Sequence, residues 1–130
     1  MSRIPFRYHV VAFGQDLSLF VVWSVVPVWA KVDLGASPLA LGALPVFSGA
    51  TYLLASLAMG RLSDRVSRTG LARAGLALYA VFCLMAAEAR SVSWIYAVAP
   101  LSGLANALVW PALQALVGDE SGPDDLERNL

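Results

Sequence analysis

Apolar residues run along this chain in four long stretches, about residues 8–30, 39–59, 71–87 and 94–117, divided by short polar links at 31–37, 61–70 and 88–93. A helix needs about 20 mostly apolar residues to cross the hydrocarbon core of a bilayer, so each stretch is expected to span a membrane as a helix. Local signals agree. Ser37 is placed to cap the second helix, with Pro38 at its first position and Gly60 near its close. The third stretch is short, and Arg73 near its start would have to reach back to the interface. Trp23, Trp29, Trp94 and Trp110, with Tyr8 and Tyr96, mostly fall near stretch ends, where amphipathic rings favour the membrane surface. The expected fold is all-α, a polytopic membrane helical bundle forming a single membrane domain over residues 1–130.

Composition strengthens this picture. Hydrophobic residues make up 58% of the 130 and charged residues 14%, with a mean hydropathy of +0.68. Soluble domains carry roughly 45–50% and 25%. So short a chain cannot hide that much apolar surface from water, and lipid is its expected solvent. Zero net charge argues against nucleic acid as a partner, because phosphate binding needs clustered excess Lys and Arg. The lone Cys83 sits in an apolar stretch and leaves no disulfide or metal framework, so no cofactor and no enzyme activity are expected. The first stretch is too long for a cleaved leader, whose apolar core runs about 7–15 residues, and it holds Gln15 and Asp16.

Orientation follows from the basic residues. Seven of the nine (Arg3, Arg7, Arg61, Arg65, Arg68, Arg73 and Arg128) fall on the side shared by the N-terminus, the second link and the C-terminus, whereas Lys31 and Arg90 fall on the other. The positive-inside rule then puts the N-terminus in the cytoplasm, and residues 118–130 open a cytoplasmic loop. Gly122, Pro123, Asp124, Asp125 and Glu127 read as the start of a further helix, so the chain is expected to be cut short of a longer protein.

Polar residues inside the stretches are the candidates for chemistry. Asp16, with Gln15 beside it, lies about 12 Å into the first stretch. A carboxylate at that depth needs a watery cavity or a partner, so it is expected to bind solute or a coupling proton or cation, or else to pair with another helix. Phe20, Trp23, Ser24 and Pro27 follow at helical spacing. In the fourth stretch Ser102, Asn106, Trp110 and Gln114 recur every four residues, beside a small-residue row of Gly103, Ala107, Pro111 and Ala115. The first row offers hydrogen bonds to a neighbouring helix or a solute, and the second permits close helix contact. Gly42, Gly49 and Ser56 of the second stretch are expected to mark helix packing, and the third stretch, polar only at Tyr79 and Cys83, a lipid-side support.

The second link carries Gly60-Arg61-Leu62-Ser63-Asp64-Arg65-Val66-Ser67-Arg68. It resembles the Gly-x-Leu-x-Asp-Arg-x-Gly-Arg signature between the second and third helices of the major facilitator superfamily. Asp16 with Pro27, Leu34-Gly35-Ala36-Ser37-Pro38, and Pro111-Ala112-Leu113 through Asp119 are also similar to that family's pattern. Ser67 stands where the signature has its second Gly, and Ala99 stands where proton-driven drug exporters carry an Arg. The resemblance implies helices one to four of a six-helix half in a twelve-helix secondary transporter, with membrane lipids and the remaining helices of the same transporter as partners. It implies alternating access, a small-molecule solute bound between helices one and four, a rocking second helix and a peripheral third. It further implies a conformational loop motif of Gly60, Asp64, Arg65 and Arg68, with Arg68 reaching a carboxylate at the end of the fourth helix, Asp119 first and Glu120 next, and a bacterial inner membrane as the location. Two alternatives stay open from the residues: a complete four-helix multidrug-type transporter using Asp16, and a non-transporting membrane scaffold subunit.

Overall fold

In lipid, backbone N–H and C=O groups find no water, so each apolar stretch closes its hydrogen bonds on itself as a helix. The computed structural model describes residues 6–62 and 66–120, and these form four helices: α1 (Phe6–Val32), α2 (Pro38–Leu62), α3 (Arg68–Ala87) and α4 (Val92–Glu120). All four are long and apolar enough to cross a membrane. Three begin on a serine cap. The hydroxyl of Ser37 accepts from the Ala40 amide at 3.2 Å, that of Ser67 from Gly70 at 3.0 Å and that of Ser91 from Trp94 at 3.2 Å, each satisfying a donor that the first helical turn leaves free. Ser67, the departure from the signature glycine, thus starts α3.

The helices run alternately up and down, and α4 is the axis of the bundle. It packs along α2 on one side and α3 on the other, with Ala99, Ala105, Ala107 and Val109 fully buried. Small side chains bring its neighbours close. A Cβ added at Gly103 would overlap the Ser48 carbonyl oxygen and come within 2.9 Å of the Tyr52 amide nitrogen, so α2 and α4 touch backbone to backbone there. On the other side Gly75 of α3 admits Val109, whose Cγ2 would lie 2.6 Å from an added Cβ. The α3 residues Leu71, Ala72, Gly75, Tyr79, Phe82 and Ala86 form its buried stripe.

α1 lies against this unit through one face, on which Gln15, Val26 and Ala30 are buried and Leu19, Val22 and Trp23 join the apolar clusters or cavity walls. Trp23 stacks on Phe82 of α3 with ring centres 6.4 Å apart. The outer faces stay apolar and open, as Phe13, Phe20, Leu54, Leu57 and Leu84 show, which suits acyl chains and not water.

The Gly42–Gly49–Ser56 row does not pack inside this bundle, contrary to expectation. Gly42 and Gly49 are exposed with nothing within 4 Å of an added Cβ, and the Ser56 hydroxyl bonds back to the Leu53 carbonyl at 2.9 Å. The contact face of α2 is instead the row of Leu44 and Ser48, because the glycine that permits the approach is Gly103 on α4.

Candidate functional site

At mid-depth the bundle buries amides and hydroxyls where lipid-exposed helices would carry only hydrocarbon. Asn106, the central residue of the 29-residue α4, accepts a hydrogen bond at Oδ1 from Gln15 Nε2 of α1 at 3.2 Å and donates through Nδ2 to its own helix at the Ser102 carbonyl, 2.8 Å away. Ser102 Oγ lies 2.7 Å from Ser48 Oγ of α2 and also donates to the Ala99 carbonyl at 2.8 Å. A hydroxyl has one proton, so with Ser102 committed to Ala99 the shared hydrogen bond must be donated by Ser48. The result is a polar chain through three helices, from Gln15 to Asn106 to Ser102 to Ser48. Gln15 is 4% exposed, and Ser102 and Asn106 are buried as well.

This chain borders an open cavity of about 410 Å³ between α1, α2 and α4. Leu19 and Trp23 line it from α1, Pro45, Ser48, Gly49 and Tyr52 from α2, and Gly103, Asn106 and Trp110 from α4. A second cavity of about 440 Å³ lies between α1 and α3, with Gln15, Ser18, Tyr79 and Cys83 in its walls. The Gln15–Asn106 pair therefore stands between the two. The hydroxyl of Tyr79 is buried without a hydrogen-bond partner among the described residues.

The structure sorts the expected site residues into two groups. Gln15, Trp23, Asn106 and Trp110 converge on the chain and the first cavity. Asp16, Ser24 and Gln114 are exposed and line none of the cavities described above. The stripe read along α1 is split. Gln15, Leu19 and Trp23 lie four residues apart on one row, Gln15 bonded to α4 and Leu19 and Trp23 lining the first cavity, whereas Asp16, Phe20 and Ser24 follow a row about 100° round the helix, with Phe20 74% exposed. Asp16 does not face α4; its neighbour Gln15 does. Ser48 and Tyr52 were not singled out in the sequence, although Pro45, Ser48 and Tyr52 at offsets of three and four already describe one face of a helix.

At the end of the bundle where α2 leads to α3, Arg68 opens α3 and closes onto the last turns of α4. Its Nη1 donates to the Ala115 carbonyl at 3.0 Å and pairs with Oδ2 of Asp119. Both side chains are partly exposed, so the ion pair itself is worth about 0–1 kcal/mol. Gly60 lies in the last turn of α2. Asp64 and Arg65 fall outside the described residues.

Four membrane-long helices with a buried polar chain beside an open cavity define a polytopic membrane protein. The family model that describes the Major Facilitator Superfamily matches residues 9–130, and no curated protein and no solved structure gives a match. The chain belongs to the major facilitator superfamily, a family of membrane transporters.

Proposed function

We propose that this chain forms the first four helices of a secondary transporter that moves a small solute by alternating access, with α1, α2 and α4 supplying one side of the solute site. The observation that carries the reading is the buried chain of Gln15, Asn106, Ser102 and Ser48 at the wall of the α1–α2–α4 cavity. Polar side chains at mid-membrane cost several kcal/mol unless bonded or wet, and here they are held in fixed positions beside an open space. Further helices of the same transporter close the cavity from its open side. Asp16, on the uncovered row of α1, is the candidate for proton or cation coupling, with Ser24 on the same row and Gln114 near the end of α4. Arg68 and Asp119, together with Gly60, Asp64 and Arg65 of the loop motif, hold the cytoplasmic end in one of its two states. The protein resides in the bacterial inner membrane with a cytoplasmic N-terminus.

Ser48→Cys in a Cys83→Ser background tests this without knowledge of the solute. Alternating access predicts labelling by an impermeant maleimide in both right-side-out and inside-out vesicles, and labelling from one side alone would remove it. Cysteine at Ser37 should label only from outside and at Ser63 only from inside, which checks the orientation in the same membranes.

A further inference from the structure

We infer that the part of the solute held against the α1–α2–α4 wall is uncharged, flat and largely apolar and carries at least one hydrogen-bond acceptor; the inference rests on the cavity being the solute site. The walls supply the argument. Trp23, Tyr52 and Trp110 bring three aromatic rings from three different helices to one space. Large rings with few rotatable bonds bind flat apolar surfaces through their faces at small entropic cost. Gly49 contributes no side chain to the remaining wall and has nothing within 4 Å of an added Cβ, which leaves room beside the rings for a planar body. None of the lining residues is acidic or basic.

That last point decides the charge. Aromatic faces also attract cations, and an aromatic wall alone would leave a cationic solute in contention. A charged group held tightly against a mid-membrane wall, however, needs a counter-charge beside it, and this wall offers none. Asp16 cannot supply it, because its row runs about 100° round α1 from the row of Leu19 and Trp23 that faces the cavity. An anion fares no better, since the lining holds no Arg, Lys or His.

Asn106 sets the polar requirement. Its carboxamide has two N–H groups, and one is used by the Ser102 carbonyl, while Oδ1 is engaged by Gln15. The second N–H has no partner among the described residues, and Asn106 itself lines the cavity. Gln15 and Ser102 hold the amide plane, so this donor points in a set direction and selects a solute with an acceptor at the matching edge.

A matched trio of probes with one ring system tests the inference: 2-naphthalenemethanol, 2-naphthoate and 2-naphthylmethylammonium, each tritiated, on the full chain in lipid nanodiscs. Equilibrium binding should be saturable for the alcohol and at least tenfold weaker for both ions. Trp110→Ala should weaken the alcohol at least tenfold while the helical circular dichroism is kept. Equal or tighter binding of either ion, or no saturable binding of the alcohol to the wild-type chain, overturns the inference whatever the variants do. The vesicle labelling at Ser48→Cys is a separate readout. Two-sided labelling with ion-preferring binding would keep transport and discard this solute class, and one-sided labelling with alcohol-preferring binding would do the reverse.

Discussion

Gln15 of α1 donates its side-chain amide to Oδ1 of Asn106 on α4 at 3.2 Å, ninety-one residues further along the chain. It ties α1 to the rest of the bundle through a buried side-chain hydrogen bond. In membranes such interhelical bonds contribute about 0.6–2 kcal/mol. Gln15→Leu should therefore lower the thermal midpoint in detergent and loosen α1 before the other helices. A double-mutant cycle with Asn106→Leu should return a coupling of about 0.5–2 kcal/mol, and a coupling near zero would show that packing alone seats α1.

Gly103 determines how closely α2 and α4 approach. Gly103→Ala places a methyl group against the backbone of Ser48 and Tyr52, neither of which can swing aside. Overpacking of this kind costs about 1–3 kcal/mol, so the variant should unfold at lower temperature and lose the Ser48–Ser102 hydrogen bond. Gly42→Ala, exposed and with nothing within 4 Å, should leave stability unchanged or slightly raised. Equal losses in the two variants, read by fluorescence-detected size exclusion during heating, would contradict the crossing geometry.

Tyr79 buries a hydroxyl that no described residue satisfies. Removing an unpaired polar atom relieves its desolvation, so Tyr79→Phe should be neutral or stabilising by up to about 1 kcal/mol. The ring remains to pack on Phe82, with centres 5.6 Å apart. A clear drop in thermal midpoint would mean that the hydroxyl has a partner in the membrane.

Arg68 and Asp119 differ in what each loss removes. Asp119→Asn deletes a partly exposed ion pair and should cost about 0–1 kcal/mol, less at high salt. Arg68→Ala also removes the hydrogen bond to the Ala115 carbonyl and should cost more, with a remainder that salt does not screen. Identical costs for the two variants at high salt would assign the whole effect to charge.

The four spans and their all-helical class were legible in the sequence, because hydrophobic length and the demand for internal backbone hydrogen bonds leave a membrane chain no other form. Ser37 could be read as a cap for a similarly local reason, since it bonds an amide three residues away. That Arg68 meets a carboxylate at the end of α4 was reached through the resemblance, from a loop pattern and its position, and the structure pairs it with Asp119. Which row of α1 faces inward was not legible. Gln15 and Asp16 are adjacent and both polar, and one is buried on α4 while the other is exposed. In a soluble protein the apolar stripe would have broken the tie. Here the solvent of the outer face is as apolar as the interior, so hydropathy carries almost no information about direction. The same ambiguity drew attention to Gly42 and Gly49 rather than Ser48. Only the tertiary structure could decide these points, because the close crossing at Gly103 and the bond between Gln15 and Asn106 join residues far apart in the chain whose meeting no local pattern encodes.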